Sequence, residues 1–336
     1  MTTLAPAPAL APRRLGAAGP TVFPLGLGCM GMAGAGMYGP TDERECVATI
    51  HAALDAGITL LDTGDFYGAG RSELVIARAL ADRPGRALLS VKFGALRSPD
   101  NQWIGFDGRP AAVKNFVSYS LARLGVDHID VYRPSRLDPT VPIEDTVGAI
   151  AELVKAGYVR HVGLSEVGAE TVRRANAVHL VADLQIEYSL VSRGPEAKIF
   201  PALAELGVGA TVYAVLSRGL LSGSRPAPKG DFRAFLPRFA AANAEANARL
   251  VEALRALAAD KGVTATQLAI AWVLARGPQF IVPVIGARTR AQLTEALGAL
   301  SIALAPDELA HIEATLPPVA GARYDERQMK TLDSER

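Results

Sequence analysis

The sequence predicts one closed (β/α)8 barrel, the TIM-barrel class, and three observations predict it. Short apolar runs rich in β-branched residues alternate with amphipathic stretches of roughly 10–18 residues, the rhythm of a parallel α/β fold. The alternation repeats eight times over about 300 residues, which suits a closed barrel better than an open sheet. Gly57, Gly125, Gly157 and Gly207 each stand between a helical stretch and the next apolar run. Glycine turns the chain there through the left-handed region without steric cost.

In chain order, strands are expected at 23–28, 58–62, 87–92, 128–132, 159–164, 181–186, 209–213 and 280–283. Helices are expected near 43–56, 72–83, 111–124, 143–156, 169–177, 195–206, 264–276 and 289–299. Thr41-Asp42-Glu43 supplies a cap and an acidic first turn, and Ser72-Glu73 reads as a similar helix start. Two helices fall outside the alternation. An alanine-rich one at about 241–261 follows the Pro/Gly/Arg-rich loop 218–238, and Pro306-Asp307-Glu308 opens another at 305–316. No linker divides the chain. The expected layout is a flexible tail at 1–20, one barrel domain at 21–318 and a C-terminal tail at 319–336.

Composition narrows the function classes. With 49% hydrophobic and 21% charged residues, a sizeable core is expected and global disorder is not. The 35 basic residues against 34 acids give a net charge of +1 and no electrostatic case for a nucleic-acid partner. Cys29 and Cys46 make no disulfide framework and stand at no metal-ligand spacing, so a reducing, cytoplasmic setting is expected. The Ala/Pro-rich N-terminus lacks a basic region before its apolar stretch and reads as a tail, not a signal peptide. No run of about 18 apolar residues calls for a membrane span. Nothing in the sequence specifies an oligomeric state.

One motif misleads. Gly34-Ala35-Gly36-Met37-Tyr38-Gly39 matches the glycine pattern of dinucleotide-binding folds. That pattern works only where the glycines turn a strand directly into a helix, and here the helix waits until after Pro40 and Thr41. A mobile loop over the barrel mouth is expected instead.

Active groups of such a barrel come from the C-terminal ends of strands and the loops that follow. Asp62 ends the second strand, Lys92 ends the third, and Tyr67 lies in the intervening loop. A lysine among apolar residues is too costly to bury unpaired, and Asp62 on the neighbouring strand neutralises it. Lys92 is expected in turn to lower the pKa of Tyr67 and fit it for proton transfer. Spacing alone serves equally a barrel-end salt bridge with Tyr67 on an ordinary loop.

These residues resemble the aldo-keto reductases, and the similarity runs over roughly 23–316. Asp62-Thr63-Gly64-Asp65-Phe66-Tyr67-Gly68 looks like the family's aspartate and tyrosine motif, and Val91-Lys92-Phe93-Gly94 like its lysine motif. Gly163-Leu164-Ser165-Glu166, Gln185-Ile186-Glu187-Tyr188 and Gly286-Ala287-Arg288 follow in family order. Leu124-Gly125-Val126-Asp127-His128 and Val141-Pro142-Ile143-Glu144-Asp145 look like the bacterial branch of pyridoxal-reductase-like and general aldehyde-reducing members.

The resemblance implies an NADPH/NADP+-dependent oxidoreductase acting on a small carbonyl or alcohol. Asp62, Tyr67 and Lys92 match three members of the catalytic tetrad, with Tyr67 as the acid that protonates the carbonyl oxygen. Ser165 and Gln185 match residues that hold the carboxamide, with Glu166 beside them, and Tyr213 matches the aromatic that stacks on the nicotinamide. Gly28 and Met30 fall at the first strand's end on the same cofactor side. Leu216, Arg218 and Gly219 match the loop around the pyrophosphate. Gly286 and Arg288 match the basic turn facing a 2′-phosphate, a role that suits the arginine fork, and Gln292 and Glu295 match adenine-side contacts. Read without the resemblance, Arg288 is equally a solvated charge at a helix start.

The fourth tetrad position departs from the family. Tyr132-Arg133-Pro134-Ser135-Arg136-Leu137-Asp138-Pro139 places Ser135 where the family carries histidine. His128 starts the same strand, roughly 20 Å away at about 3.3 Å per residue, and His161 sits early in the fifth strand. A serine hydroxyl donates one hydrogen bond, directly or through a water, and losing a well-placed donor costs about 10²–10³ in rate. Two readings follow: an oxidoreductase whose pocket Ser135 reshapes, or an NADPH-binding sensor or partner-binding module with little turnover. Tyr38, Phe66, Trp103 and Phe106 are candidate pocket walls or anchors of their own loops. Arg133 and Arg136 flank Ser135 as candidates to recognise an anionic substrate, although Arg136 also has Asp138 within reach.

Overall fold

The computed structural model describes residues 11–34, 36–99, 103–277 and 280–336. Ala35 and the first ten residues of the expected N-terminal tail lie outside them. Eight parallel strands close in sequence order: β1 (Gly26–Gly28), β2 (Leu60–Gly64), β3 (Leu88–Phe93), β4 (Ile129–Pro134), β5 (Val159–Ser165), β6 (Val181–Glu187), β7 (Gly209–Tyr213) and β8 (Ile281–Gly286). Val284 of β8 returns to pair with Gly26 of β1 and shuts the barrel. All eight strands stand where the apolar runs predict them. Several extend past the predicted end, because the polar residues there still pair across the mouth, as Lys92 does with Arg133.

Around the barrel lie α1 (Glu43–Asp55), α2 (Arg71–Leu80), α3 (Pro110–Leu124), α4 (Ile143–Ala156), α5 (Ala169–Val178) and α6 (Ile199–Leu206). They are followed by α7 (Ala244–Asp260), α8 (Ala265–Arg276), α9 (Arg290–Leu297), α10 (Pro306–Thr315) and α11 (Glu326–Thr331). The expected extra helices are α7 and α10. Among the described residues no helix is long and apolar enough to cross a membrane, and no three His, Cys, Asp or Glu residues cluster to hold a metal.

Three expectations are corrected. Ser72 does not cap α2, whose N-cap is Gly70. Ser72 lies buried in the first turn, where its hydroxyl accepts from Thr63 and donates to the Cys29 carbonyl, and Glu73 pairs with Arg123. Residues 13–20 are not a tail. Arg13–Arg14 pairs with Thr21–Val22, and the turn plugs the barrel floor with Leu15 buried against Leu60 and Val282. Gly209 permits this plug, since a Cβ there would lie 2.5 Å from the Gly16 nitrogen. Residues 319–336 are not a free tail either: Arg323 is buried in an ion pair with Glu166, and α11 lies over the mouth.

Inside the barrel runs a polar layer. Arg133 is fully buried and donates to Asp183 Oδ2 at 3.0 Å, Thr211 Oγ1 at 3.2 Å and Ser90 Oγ at 3.0 Å. Gly163 makes room for it, because a Cβ there would meet the guanidinium carbon at 3.2 Å and Val131 at 2.9 Å. Pairing with Asp183 makes this buried charge tolerable, although Arg133 Nε and Asp183 Oδ1 are left without hydrogen-bond partners.

Candidate active site

The C-terminal strand ends open onto a cavity of about 920 Å³, and four elements bring Asp62, Tyr67, Lys92 and Ser135 to it. Strand β2 carries Asp62 beside Ser90 of β3, and Lys92 follows two residues later. Lys92 Nζ lies 2.5 Å from Asp62 Oδ1, while Ser90 Oγ and Gln185 Nε2 donate to Oδ2 at 2.8 and 2.7 Å. Through Ser90 this site is continuous with the Arg133 layer. Burial lowers the pKa of the Lys92 ammonium, and Asp62 opposes that shift.

Tyr67 sits on the turn after β2, where its N–H donates to the Gly64 carbonyl at 3.0 Å. Lys92 Nζ is 5.4 Å from its ring centre. The expected lowering of the Tyr67 pKa by Lys92 is not found. Burial first, and the Asp62 charge second, push this phenol well above the ordinary tyrosine range, and the cation that opposes them is Arg136. Burial is the first cause and outweighs the cations beside the ring. Tyr67 is therefore held as a protonated acid across the physiological range.

Ser135 is buried at the end of β4, with its N–H donating to Phe93 O at 2.8 Å, and its Oγ has no hydrogen-bond partner. Neither His128, 3.8 Å from Asp130, nor His161, opposite Val131 in β5, lines the cavity.

The expected cofactor residues Gly28, Met30, Ser165, Gln185, Tyr213, Leu216, Arg218, Gly219, Gly286, Arg288, Gln292 and Glu295 all line the same cavity. Ser165 Oγ is buried without a partner. The loop after β7 carries Ala214, Ser217 and Arg218 at positive φ, strain of a kind that persists at functional sites. Arg288 donates to the Tyr38 carbonyl at 2.7 Å, so it also ties the glycine-rich loop down. That loop pairs with 230–231 across the mouth and leads into α1 only after Pro40, as expected of a mouth loop. Glu166 is a correction. It does not line the cavity; Arg323, Ser334, Tyr213 and the Glu187 N–H occupy its carboxylate.

Tyr38, Phe66, Trp103 and Phe106 line the same cavity. Trp103 and Phe106 ride on the hairpin of Ala95–Arg97 and Trp103–Phe106, which the sequence presents only as a loop. Phe66 meets Trp103 edge-on at 6.4 Å, and Trp103 meets Phe106 at 4.9 Å. Arg133 is the second correction. It points into the barrel, and Arg136 takes its place at the cavity. Arg136 does not pair with Asp138, which instead accepts from Gly108 N–H and Thr140. It donates to the Ser135 carbonyl at 2.6 Å and to the Tyr324 hydroxyl at 3.0 Å.

Asp65, beside Tyr67, yields a stability prediction. Burial, with Glu73 adding to it, raises its pKa from the ordinary 3.8 to about 7, and its Oδ1 lacks a partner. Between those values the native chain binds more protons than the unfolded chain, so this group makes stability fall as pH rises from about 4 to about 7. Asp65→Asn is expected to raise Tm more at pH 8 than at pH 4. Equal shifts at both pH values, read by calorimetry, contradict the assignment.

Comparison with known proteins adds an independent line. Residues 24–317 match the model of the aldo/keto reductase family. A probable aldo-keto reductase 1 from Glycine max is 39% identical over 321 residues, covering 93% of this chain and 91% of that protein. A glycerol dehydrogenase from Gluconobacter oxydans superposes with a TM-score of 0.81 at 28% identity, covering 96% of each chain. A holo-form aldo-keto reductase from Bacillus halodurans superposes at 0.76 with 27% identity, covering 94% of this chain and 99% of that one.

Proposed function

The chain belongs to the aldo/keto reductase family, and from that premise we propose that it is an NADPH-dependent oxidoreductase of small or specialised carbonyl or alcohol substrates, with Tyr67 as general acid and base. One observation carries the reading: Asp62, Lys92 and Tyr67 converge on a cavity that the expected cofactor residues also line. A nicotinamide cofactor suits these residues, because Ser165 Oγ is buried and unpartnered where the carboxamide is expected. When bound, it supplies or accepts the hydride.

The chain's own residues do the rest. Ser165 and Gln185 would hold the carboxamide and Tyr213 the ring face, with Tyr213 fixed by its hydroxyl's bond to Glu166 at 2.9 Å. The loop of Leu216, Arg218 and Gly219 would hold the pyrophosphate. The Arg218 guanidinium is already 2.8 Å from Glu187, and its carbonyl accepts from Arg233. Arg288, Gln292 and Glu295 stand at the adenosine end. Arg288 keeps donors beyond the one given to Tyr38, which supports the preference for a 2′-phosphate. In reduction, Tyr67 gives its proton to the carbonyl oxygen. Asp62 holds Lys92 beside the Tyr67 ring, and Arg136 is the cation that favours the resulting phenolate. Ser135, short and neutral, stands where a histidine is usual, so turnover below that of histidine-bearing relatives is expected.

The test is consumption of the reduced nicotinamide by purified protein over a panel of aldehydes and ketones, with alcohols and NADP+ for the reverse direction. Substrate-dependent consumption, faster with NADPH than with NADH, supports the reading. Tight NADPH binding with silence in both directions overturns it in favour of a sensor or binding module.

A further inference from the structure

We infer that the substrate carries a carboxylate, anchored by Arg136 together with the hydroxyl of Ser135. This deepens the reductase reading and rests on it. Arg136 is partly buried and lines the cavity. Its two hydrogen bonds go to the Ser135 carbonyl and the Tyr324 hydroxyl, and no carboxylate lies within ion-pair distance of it among the described residues. The nearby acids are taken. Glu166 is paired with Arg323, and Glu187 lies against Arg218 and Arg238. Glu166 feels the Arg136 charge from a distance, but its oxygens are bonded to Arg323, so the open donors of Arg136 face the cavity with no acid in contact.

Ser135 supplies the second observation. It is 98% buried by its 2% exposure, lines the same cavity, and its Oγ has no partner. Tyr324 is fixed beside it, with Arg218 4.7 Å from its ring centre and its hydroxyl 3.3 Å from that of Tyr213. Together a planar fork of N–H donors and a free serine hydroxyl form an anion site on the wall that Asp62, Lys92 and Tyr67 share, with the Tyr324 hydroxyl holding the guanidinium in place. One cation with open donors matches the single charge of a carboxylate better than a phosphate dianion. The replacement of histidine by serine then has a purpose. A smaller side chain leaves room for the carboxylate beside Arg136.

Two measurements test this separately from hydride transfer. The first is calorimetry of oxamate, with oxamide as neutral control, on the protein loaded with NADP+. Oxamate is expected to bind and oxamide not. Arg136→Met is expected to weaken oxamate about 10- to 100-fold, the range for losing a hydrogen bond to a charged group, and Ser135→Ala about tenfold. Ser135→Ala also keeps the test open if Arg136→Met fails to fold. The second is turnover of carbonyl acids against their methyl esters. The wild-type protein is expected to favour the acid at least about tenfold in kcat/KM, and Arg136→Met to erase most of that preference through KM. Oxamate binding lost in Arg136→Met, with no compound turned over, supports the anion site and overturns the hydride-transfer reading. Neutral aldehydes turned over as well as acids, with no oxamate binding, overturns the anion site and leaves the reductase.

Discussion

Replacing Tyr67 by phenylalanine is expected to lower kcat by about 10²–10⁴-fold while leaving NADPH affinity within a fewfold of wild type. The size follows from the site. Tyr67 carries a proton that burial and Asp62 hold firmly, and among the described residues no histidine lines the cavity to share the task. The phenylalanine ring keeps the edge-on packing against Phe66 at 4.7 Å, so the variant tests the hydroxyl alone. A steady-state comparison at saturating cofactor, beside a direct binding measurement, separates loss of chemistry from loss of the complex. Activity within tenfold of wild type contradicts Tyr67 as the acid.

Arg133→Met is expected to cost about 3–5 kcal/mol, because it strands Asp183 inside the barrel. Arg133 and Asp183 are both fully buried and 3.0 Å apart, and Thr211 Oγ1 donates to the same carboxylate oxygen at 2.6 Å. Against a domain stability of about 5–15 kcal/mol, such a loss shifts the urea midpoint far at unchanged slope. The double variant Arg133→Met/Asp183→Leu is expected to recover much of it, since an apolar pair in place of a buried ion pair is often nearly neutral. A single variant that unfolds at the wild-type midpoint rules out the polar layer as a stabilising unit. Ser90 joins this layer to Asp62, so a drop in kcat is also expected in any folded single variant.

The contrast between Arg133 and Arg136 shows which parts of this molecule the sequence makes legible. Barrel strands repeat every two residues and helices every 3.6, so the strands and helices stand nearly where those periods place them. The same period settles Arg133. Val131 and Arg133 share the inward face of β4, while Tyr132 turns outward to donate to Val113 O in α3. Parity along the strand thus places Arg133 in the barrel and frees only Arg136 for the mouth. Asp62 and Lys92 were legible because polar residues interrupt apolar strands at one end, whereas Tyr67, on the loop between them, was singled out by the family motif. Glu166 was misplaced because its partner Arg323 lies 157 residues on, in a segment whose polar composition reads as a tail. The N-terminal plug escaped for a similar reason: Leu15 is a lone apolar residue between turns, buried only because the barrel floor is there to receive it. The raised pKa of Tyr67 depends on burial and on the Asp62 charge beside it, and neither is written in spacing.

The central claim is that this barrel moves a hydride with Tyr67 supplying the proton and no histidine assisting. Its most direct test uses NADPH deuterated at the transferable C4 position, followed by mass spectrometry of the alcohol product from wild type and Tyr67→Phe. The account predicts deuterium at the former carbonyl carbon of the wild-type product and near-complete loss of labelled product in the variant. Labelled product formed equally fast by both proteins, or no labelled product from a wild type that binds the cofactor tightly, contradicts it.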